Sequence, residues 1–199
     1  MPAKPEIRRQ IRRRRRALSP AERQTAAARI TAVLGGLHFF SAARRIAVFA
    51  ANDGEIDPGP AMRYHTAKQY YLPVLPPDGR RRMRFARVGP ETTFGKNRYG
   101  IPEPVVPAGQ LMTALELDLV LAPLVAFDRE GGRLGMGGGY YDETFAFLAS
   151  RERWHRPKLV GVAFSFQEVP HIDRDPWDIP LSAVVTERGV VAVAGNRST

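Results

Sequence analysis

The sequence predicts a single three-layer α/β domain with a largely parallel sheet, preceded by a basic N-terminal helix. Three observations carry that prediction. Strand-like apolar runs alternate with helix-periodic segments along the chain. Two runs, 117–123 (LDLVLAP) and 159–164 (LVGVAF), are nearly continuous in apolar residues, as strands covered on both faces are. The chain has 199 residues, 44% of them apolar, with no repeat or low-complexity boundary to divide it. One compact unit over residues 1–199 can bury a core of that composition without staples.

The elements follow in order. Residues 4–18 read as a helix, with Ile7, Ile11 and Leu18 leaving a narrow apolar stripe among arginines. Ser19-Pro20-Ala21-Glu22 has the form of a capping box with proline at the first helical position. The helix it starts runs through Ala26, Ile30, Val33 and Leu37, loosened by Gly35-Gly36. Residues 45–51 form the first strand, broken by Asn52-Asp53-Gly54. A helix over 59–68 precedes a strand at 70–75, which ends in a turn, Pro76-Pro77-Asp78-Gly79. A strand at 83–88 pairs with it, and residues 89–110, rich in proline and glycine, read as an ordered loop. After the apolar strand at 117–123 comes a glycine-rich loop, Gly131 to Gly139, then a helix over 140–150. Strands at 159–164, 183–186 and 190–194 complete the chain. Ligands of such sheets bind beyond the carboxyl ends of the strands. The candidate loops are therefore 52–58, 128–139 and the segment after Phe164.

Composition narrows the chemistry. Cysteine is absent, which excludes a disulfide framework, a Cys-based metal site and a Cys nucleophile. No apolar run is long enough to span a bilayer, and no segment has the order of a signal peptide. The net charge is +10, and residues 1–20 supply +7 of it, from Lys4, Arg8, Arg9 and Arg12 to Arg16 against Glu6. That segment is a solvated helix face, a nucleic-acid contact or a nucleotide-phosphate contact. The absence of Phe, Tyr and Trp from residues 1–38 disfavours single-stranded nucleic acid. Helical spacing puts Lys4 and Arg8 on one face and turns Arg9, Arg13 and Arg16 away, so much of the Arg12–Arg16 run is expected in solvent.

The strongest local signal is 127–142 (FDREGGRLGMGGGYYD). Glycines let backbone amides approach a phosphate, and a helix start adds partial positive charge. Arg133 offers a fork-shaped cation to the same anion. The run lacks the Gly-Lys-Ser/Thr ending of a Walker loop and the spacing of a dinucleotide fingerprint. Asp142 stabilises the following helix start or, beside phosphates, holds Mg²⁺. Asp178, in a proline-bounded loop, is a surface residue or a second carboxylate for that ion. Asn52, Glu55 and Asp57 follow the first strand, either as turn formers or as a grip on the ring N–H groups of a polar heterocycle. His38, His65, His155 and His171 show no ligand spacing.

Taken together these segments resemble the 5-formyltetrahydrofolate cyclo-ligases over nearly the whole chain. The resemblance rests on Lys4-x-x-x-Arg8 with Arg16-Ala17-Leu18-Ser19, Gly54-Glu55-Ile56-Asp57, and Tyr99-Gly100-Ile101-Pro102-Glu103-Pro104. Its most specific part is Gly132-Arg133-Leu134-Gly135-x-Gly137-x-Gly139-Tyr140-Tyr141-Asp142, and its last is Trp177-Asp178-Ile179-Pro180-Leu181. It implies a soluble, cytoplasmic ligase that converts 5-formyltetrahydrofolate and ATP into 5,10-methenyltetrahydrofolate, ADP and phosphate. It also implies ATP contacts at Lys4, Arg8 and the loop residues Arg133, Leu134, Gly135, Gly137, Gly138, Gly139, Tyr140 and Tyr141, with Arg133 and Tyr140 closest to the chemistry. The folate site would take Asn52, Glu55 and Asp57 with Gly137, Gly139, Tyr140 and Tyr141. Asp142 and Asp178 match the magnesium carboxylates. Gly138 stands where some members have lysine, which leaves phosphate neutralisation to Arg133, Mg²⁺ and the N-terminal helix. A folate polyglutamate tail would meet the basic residues among 80–84, or Lys96 and Arg98. The alternatives are a nucleic-acid-binding module built on the arginine helix, or another ATP- or phosphosugar-using enzyme of similar fold. The oligomeric state stays open.

Overall fold

The computed structural model describes residues 3–150 and 156–193. His155 and Ala194 lie outside the described residues. The chain begins with α1 (Lys4–Ala17), α2 (Pro20–Gly35) and α3 (His38–Ala42). The next elements are β1 (Arg45–Ala47), α4 (Gly59–Tyr64), β2 (Gln69–Val74) and β3 (Arg84–Val88). A two-stranded hairpin, β4 (Phe94–Lys96) and β5 (Pro102–Pro104), precedes β6 (Leu111–Met112) and β7 (Leu119–Pro123). A second hairpin, β8 (Ala126–Phe127) and β9 (Arg133–Leu134), leads to α5 (Tyr140–Phe145). The chain ends with β10 (Lys158–Val162), β11 (Ala183–Thr186) and β12 (Gly189–Ala192).

The main sheet has the order β12-β11-β10-β7-β1-β2-β3-β6. Its five central strands are parallel, and β12, β3 and β6 join antiparallel at the edges. The parallel strands run second-first-third-fourth-fifth in chain order, so strand order reverses between β1 and β7. At that switch point the two chains leaving the sheet part to opposite faces and open a crevice.

Strand alternation distributes two cores. Ile46, Leu119, Leu121, Val160 and Val162 face one side, where Ala26, Ala27, Ile30 and Leu34 of α2 and Phe40 of α3 cover them. Ala47, Val120, Ala122, Leu159 and Val184 face the other, under Phe145 of α5 and Ile179 and Leu181. This is the period-two pattern of strands buried on both faces, and it gives the three layers. A smaller cluster joins Ile7 of α1 to Ala126, Leu134 and Ile172, so α1 docks on the β8–β9 hairpin.

Several elements differ from the sequence reading. The first strand ends at Ala47, although the Val48 amide still donates to the Tyr71 carbonyl, and Phe49 and Ala50 beyond it line the crevice. The helix at 59 stops at Tyr64, and the helix at 140 is α-helical only to Phe145. Residues 89–110 contain the β4–β5 hairpin, whose turn is built by Asn97. Its Oδ1 accepts the amides of Tyr99 (2.9 Å) and Ile101 (3.1 Å). Glu103 ties that hairpin to the end of β2 by accepting the Leu75 amide at 2.9 Å. The arginine run is exposed at Arg9, Arg13, Arg14 and Arg16, as helical spacing predicts, and departs from that reading at Arg12 and Arg15. Arg15 is fully buried, and Arg12, Arg15 and Arg16 all bind Asp53.

Candidate functional site

A cleft of about 730 Å³ opens at the carboxyl ends of β1, β2 and β7. One wall is the chain leaving β1, from Phe49 and Ala50 to Asn52, Asp53 and Glu55. The opposite wall is the glycine loop, from Arg133 to Asp142. Lys4 and Arg8 of α1 also line the cleft, as do three exposed apolar side chains, Tyr99 of the β4–β5 hairpin, Met136 and Trp177.

The glycine loop is held by a residue that motif reading missed. Asp128 is fully buried and accepts the amides of Glu130 (3.0 Å), Gly132 (2.7 Å) and Ile172 (2.8 Å). It thereby shapes the β8–β9 turn and ties it to the segment that carries Asp175 and Asp178. A Cβ at Gly132 would lie 2.5 Å from Asp128 Oδ2, so only glycine allows that approach. Its sequence signal was the aspartate at the end of an apolar strand directly before a glycine pair. Gly139 enters α5 in the left-handed region, at φ 69°. Because α5 is short, what this wall offers an anion is loop amides and nearby cations more than a helix dipole.

Arg133 is almost fully buried and donates to Asp142 Oδ1 at 2.5 Å. Its Nε is buried without a partner, an unmet donor beside the cleft. Its guanidinium also lies 5.4 Å from the centre of the Tyr141 ring. Burial pushes the Tyr141 hydroxyl well above the ordinary tyrosine range, against the pull of Arg133. Tyr140 shares a 3.0 Å hydroxyl contact with Tyr99, and that hydrogen bond raises its pKa.

Arg8 Nε donates to the Gly135 carbonyl at 2.9 Å, and Lys4 Nζ lies 3.2 Å from Asp175 Oδ2. The first helix is thus anchored to the glycine loop and to the last crossover at once. Leu134 faces the small core with Ile7 while also lining the cleft. Asp142 and Asp178 both line the wall beyond Arg133. The Ile179 amide, next to Asp178, donates to Asp142 Oδ1 at 3.4 Å, which keeps the two carboxylates in one neighbourhood. Among the described residues, no group of three or more His, Cys, Asp or Glu could hold a metal ion. Two hard oxygen donors without a third suit an ion whose remaining ligands are water and phosphate oxygens.

On the β1 side, Asn52 and Glu55 line the cleft and Asp57 does not. Asp57 is exposed, and its Oδ1 accepts the Gly59 amide at 2.8 Å, forming the turn into α4. Glu55 Oε2 accepts the Asn52 amide at 3.1 Å. Burial raises the Glu55 pKa, partly offset by Arg15 and the Asn52 amide, with Asp53 adding to the rise. Of the basic residues weighed for a polyglutamate tail, Arg81 lines the cleft. Arg80 pairs with Asp78, Arg98 donates to the Pro76 carbonyl, and Lys96 is exposed on β4.

The sequence pattern of the 5-formyltetrahydrofolate cyclo-ligase family matches residues 1–187. A 5-formyltetrahydrofolate cyclo-ligase of Escherichia coli (strain K12) is 37% identical over 180 residues, covering 88% of this chain and 96% of its own. A cyclo-ligase of Haemophilus influenzae is 34% identical, over 88% of this chain and 93% of its own. The NMR structure of Aquifex aeolicus 5,10-methenyltetrahydrofolate synthetase superposes with a TM-score of 0.79 at 33% identity, covering 98% of this chain and 95% of that one. A 5,10-methenyltetrahydrofolate synthetase from Mycoplasma pneumoniae shares the fold, with a TM-score of 0.70 at 22% identity over 94% of this chain and 99% of that one.

Proposed function

The chain belongs to the 5-formyltetrahydrofolate cyclo-ligase family and is an enzyme of that type, and from that premise we propose that it couples ATP cleavage to ring closure of 5-formyltetrahydrofolate. The observation that carries this reading is the convergence on one cleft of a glycine loop with Arg133, the cations Lys4 and Arg8 of α1, and a polar turn after β1. The loop and the cations suit a triphosphate and the turn suits a heterocycle.

In this reading the formyl oxygen attacks the γ-phosphorus and ADP leaves. N10 then attacks the activated formyl carbon and loses its proton. Phosphate departs with the former formyl oxygen, leaving 5,10-methenyltetrahydrofolate. The amides of Gly135, Gly137, Gly138 and Gly139 orient the phosphates. Arg133 supplies the fixed charge on which developing negative charge is stabilised, and its unpaired Nε points to an acceptor in the bound state. Lys4 and Arg8 neutralise the rest of the triphosphate from the helix end. Asp142 and Asp178 would hold Mg²⁺, which when bound supplies charge neutralisation across phosphate oxygens. Tyr140 and Tyr141 exclude water around the reacting group. Asn52 and Glu55 accept from the heterocycle, whereas Asp57 acts on the fold of the turn and leaves the ligand to the other two. Arg81, at the mouth of the cleft, is the first contact for a polyglutamate tail. A cytoplasmic location accords with a chain that has no cysteine.

The test is purified protein with 5-formyltetrahydrofolate, followed by the absorbance of the methenyl product. Product forms when ATP and a divalent metal are both present and fails when either is omitted. Equal product without ATP, or none under any condition, removes the reading. The exposed arginines of α1 could still attract nucleic acid. Such binding should be weak, blind to sequence and steeply lost with salt, as expected of charge alone.

A further inference from the structure

We infer that Arg15 is a positioning residue for the substrate heterocycle: it holds the Asn52–Glu55 turn, and Glu55 in particular, against the cleft from behind. The inference rests on the reading above, in which Glu55 meets the heterocycle.

Arg15 does not line the cleft, and Glu55 does. The Arg15 side chain has no exposed surface. Its Nη1 donates to the Leu124 carbonyl at 3.2 Å and lies 3.6 Å from Glu55 Oε1. Its Nη2 donates to Asp53 Oδ2 at 2.9 Å. Leu124 follows β7 and Glu55 follows β1, so a single guanidinium bridges both strand ends of the switch point. Arg12 and Arg16 reach the same Asp53 carboxylate from adjacent turns of α1. Asp53 is the one non-glycine residue with positive φ among the described residues, at 52°. A Cβ at Gly54 would lie 3.1 Å from the Arg15 carbonyl oxygen, so the turn sits directly on the helix backbone.

A buried cation is a poor way to gain stability, because an apolar side chain of similar volume does that better. The same helix already uses Ile7 for apolar docking. What an arginine adds here is direction: its planar fork fixes a carbonyl and a carboxylate at set angles. The groups facing Glu55 are Arg15 from α1, Asp53 in its own turn and Tyr141 from α5, with the Asn52 amide on its carboxylate. Arg15 and the amide favour the ionised acceptor, and Asp53 and burial oppose it. Loss of the Arg15 charge therefore drives Glu55 toward its protonated form, which cannot accept in the same way.

The test compares Arg15→Met and Arg15→Lys with the wild type after thermal melts establish that each is folded. Arg15→Met should raise the KM for 5-formyltetrahydrofolate about tenfold, the scale of one charge-assisted contact. The KM for ATP should stay within about twofold, and the acid limb of kcat/KM for folate should move to higher pH. Arg15→Lys keeps the charge without the fork, so its acid limb should return to the wild-type position while its folate KM stays raised. If Arg15→Met does not fold, the Lys variant decides by that split alone. An unchanged folate KM in a folded variant, or equal changes in both KM values, overturns the inference. Failure of the wild type to form any methenyl product counts instead against the proposed function. In that event, carbon NMR titration of the Glu55 carboxyl still decides the matter. It moves to higher pH in Arg15→Met if Arg15 acts on Glu55, and stays in place if it does not.

Discussion

Arg133 shows how one side chain can be read from sequence and still be half understood. Its place in a glycine run marked it as an anion ligand, and the structure adds Asp142 as its partner at 2.5 Å. Arg133→Ala should raise the KM for ATP about tenfold or more, since a charge-assisted contact is worth roughly 1.5–3 kcal/mol. Steady-state kinetics at saturating folate checks this, and an unchanged ATP dependence would mean that the side chain serves Asp142 alone. Arg133→Lys should recover part of the loss, since it keeps charge but not the fork. Neutralising Lys4 and Arg8 together should cut activity at fixed ATP at least tenfold on the same scale of about 1.5–3 kcal/mol per contact. Neutralising Arg9 and Arg13, both exposed, should change it little. Arg16 no longer belongs with them, because it binds Asp53. Helical spacing could separate Lys4 and Arg8 from the rest, but it could not foresee a carboxylate 38 residues beyond Arg15. Asp53 gives a pH prediction. Desolvation opposes its ionisation, but Arg12, Arg16 and Arg15 together hold its pKa below the ordinary aspartate value. That stabilisation is whole above the ordinary value and fades as pH falls through the folded one. Asp53→Asn should cost about 3 kcal/mol near neutral pH, or roughly 10 °C in Tm, with the two melting temperatures converging in acid.

Elements differ in how openly the sequence announces them. The start of α2 is explicit: Ser19 Oγ accepts the Glu22 amide at 3.2 Å, and Glu22 Oε2 accepts the Ser19 amide at 2.8 Å. Ser19→Ala should cost about 1 kcal/mol, or roughly 2–4 °C in Tm, measured by thermal melt. The doubly buried strands were equally open, because parallel strands under two layers show uninterrupted apolar runs. In β10 the run contains Gly161, where a Cβ would meet Leu124 Cδ2 at 2.7 Å and Leu181 Cδ1 at 2.9 Å. Gly161→Ala should therefore destabilise by about 1–3 kcal/mol through overpacking, read as a lowered denaturant midpoint. The β4–β5 hairpin was hidden. Its strands are three residues each and two prolines stand in β5, so alternation has no length in which to show. Local propensity cannot show such an element, because what stabilises it is its contact with the end of β2 through Glu103. The same limit explains the shortened α4. At its end the Tyr70 hydroxyl shares its one proton between the carbonyls of Ala61 (3.2 Å) and His65 (3.3 Å). Burial pushes that hydroxyl up to about 12.

At the scale of the whole molecule, function follows from where strand order reverses. An α/β class and the loops beyond its strand ends were legible from alternation alone, and all three loops so marked contribute to the cleft, the third through Asp175, Trp177 and Asp178. Strand order itself was not legible, because every central strand carries the same apolar pattern and only packing decides which neighbours meet. Nor could spacing show that α1 would span the site, with Arg8 at the glycine loop, Lys4 at Asp175, and Arg12, Arg15 and Arg16 under the β1 turn. That arrangement turns a charge run into internal structure and joins the two halves of the cleft through one helix. The central claim is that the cleft holds a nucleotide triphosphate and a formylated folate together, so that phosphate is transferred to the formyl oxygen. The most direct measurement uses 5-formyltetrahydrofolate with heavy oxygen in the formyl group, turned over with ATP and Mg²⁺, and reads the released phosphate by mass spectrometry. The account predicts one heavy oxygen in each phosphate formed with the methenyl product. Unlabelled phosphate accompanying that product would contradict it.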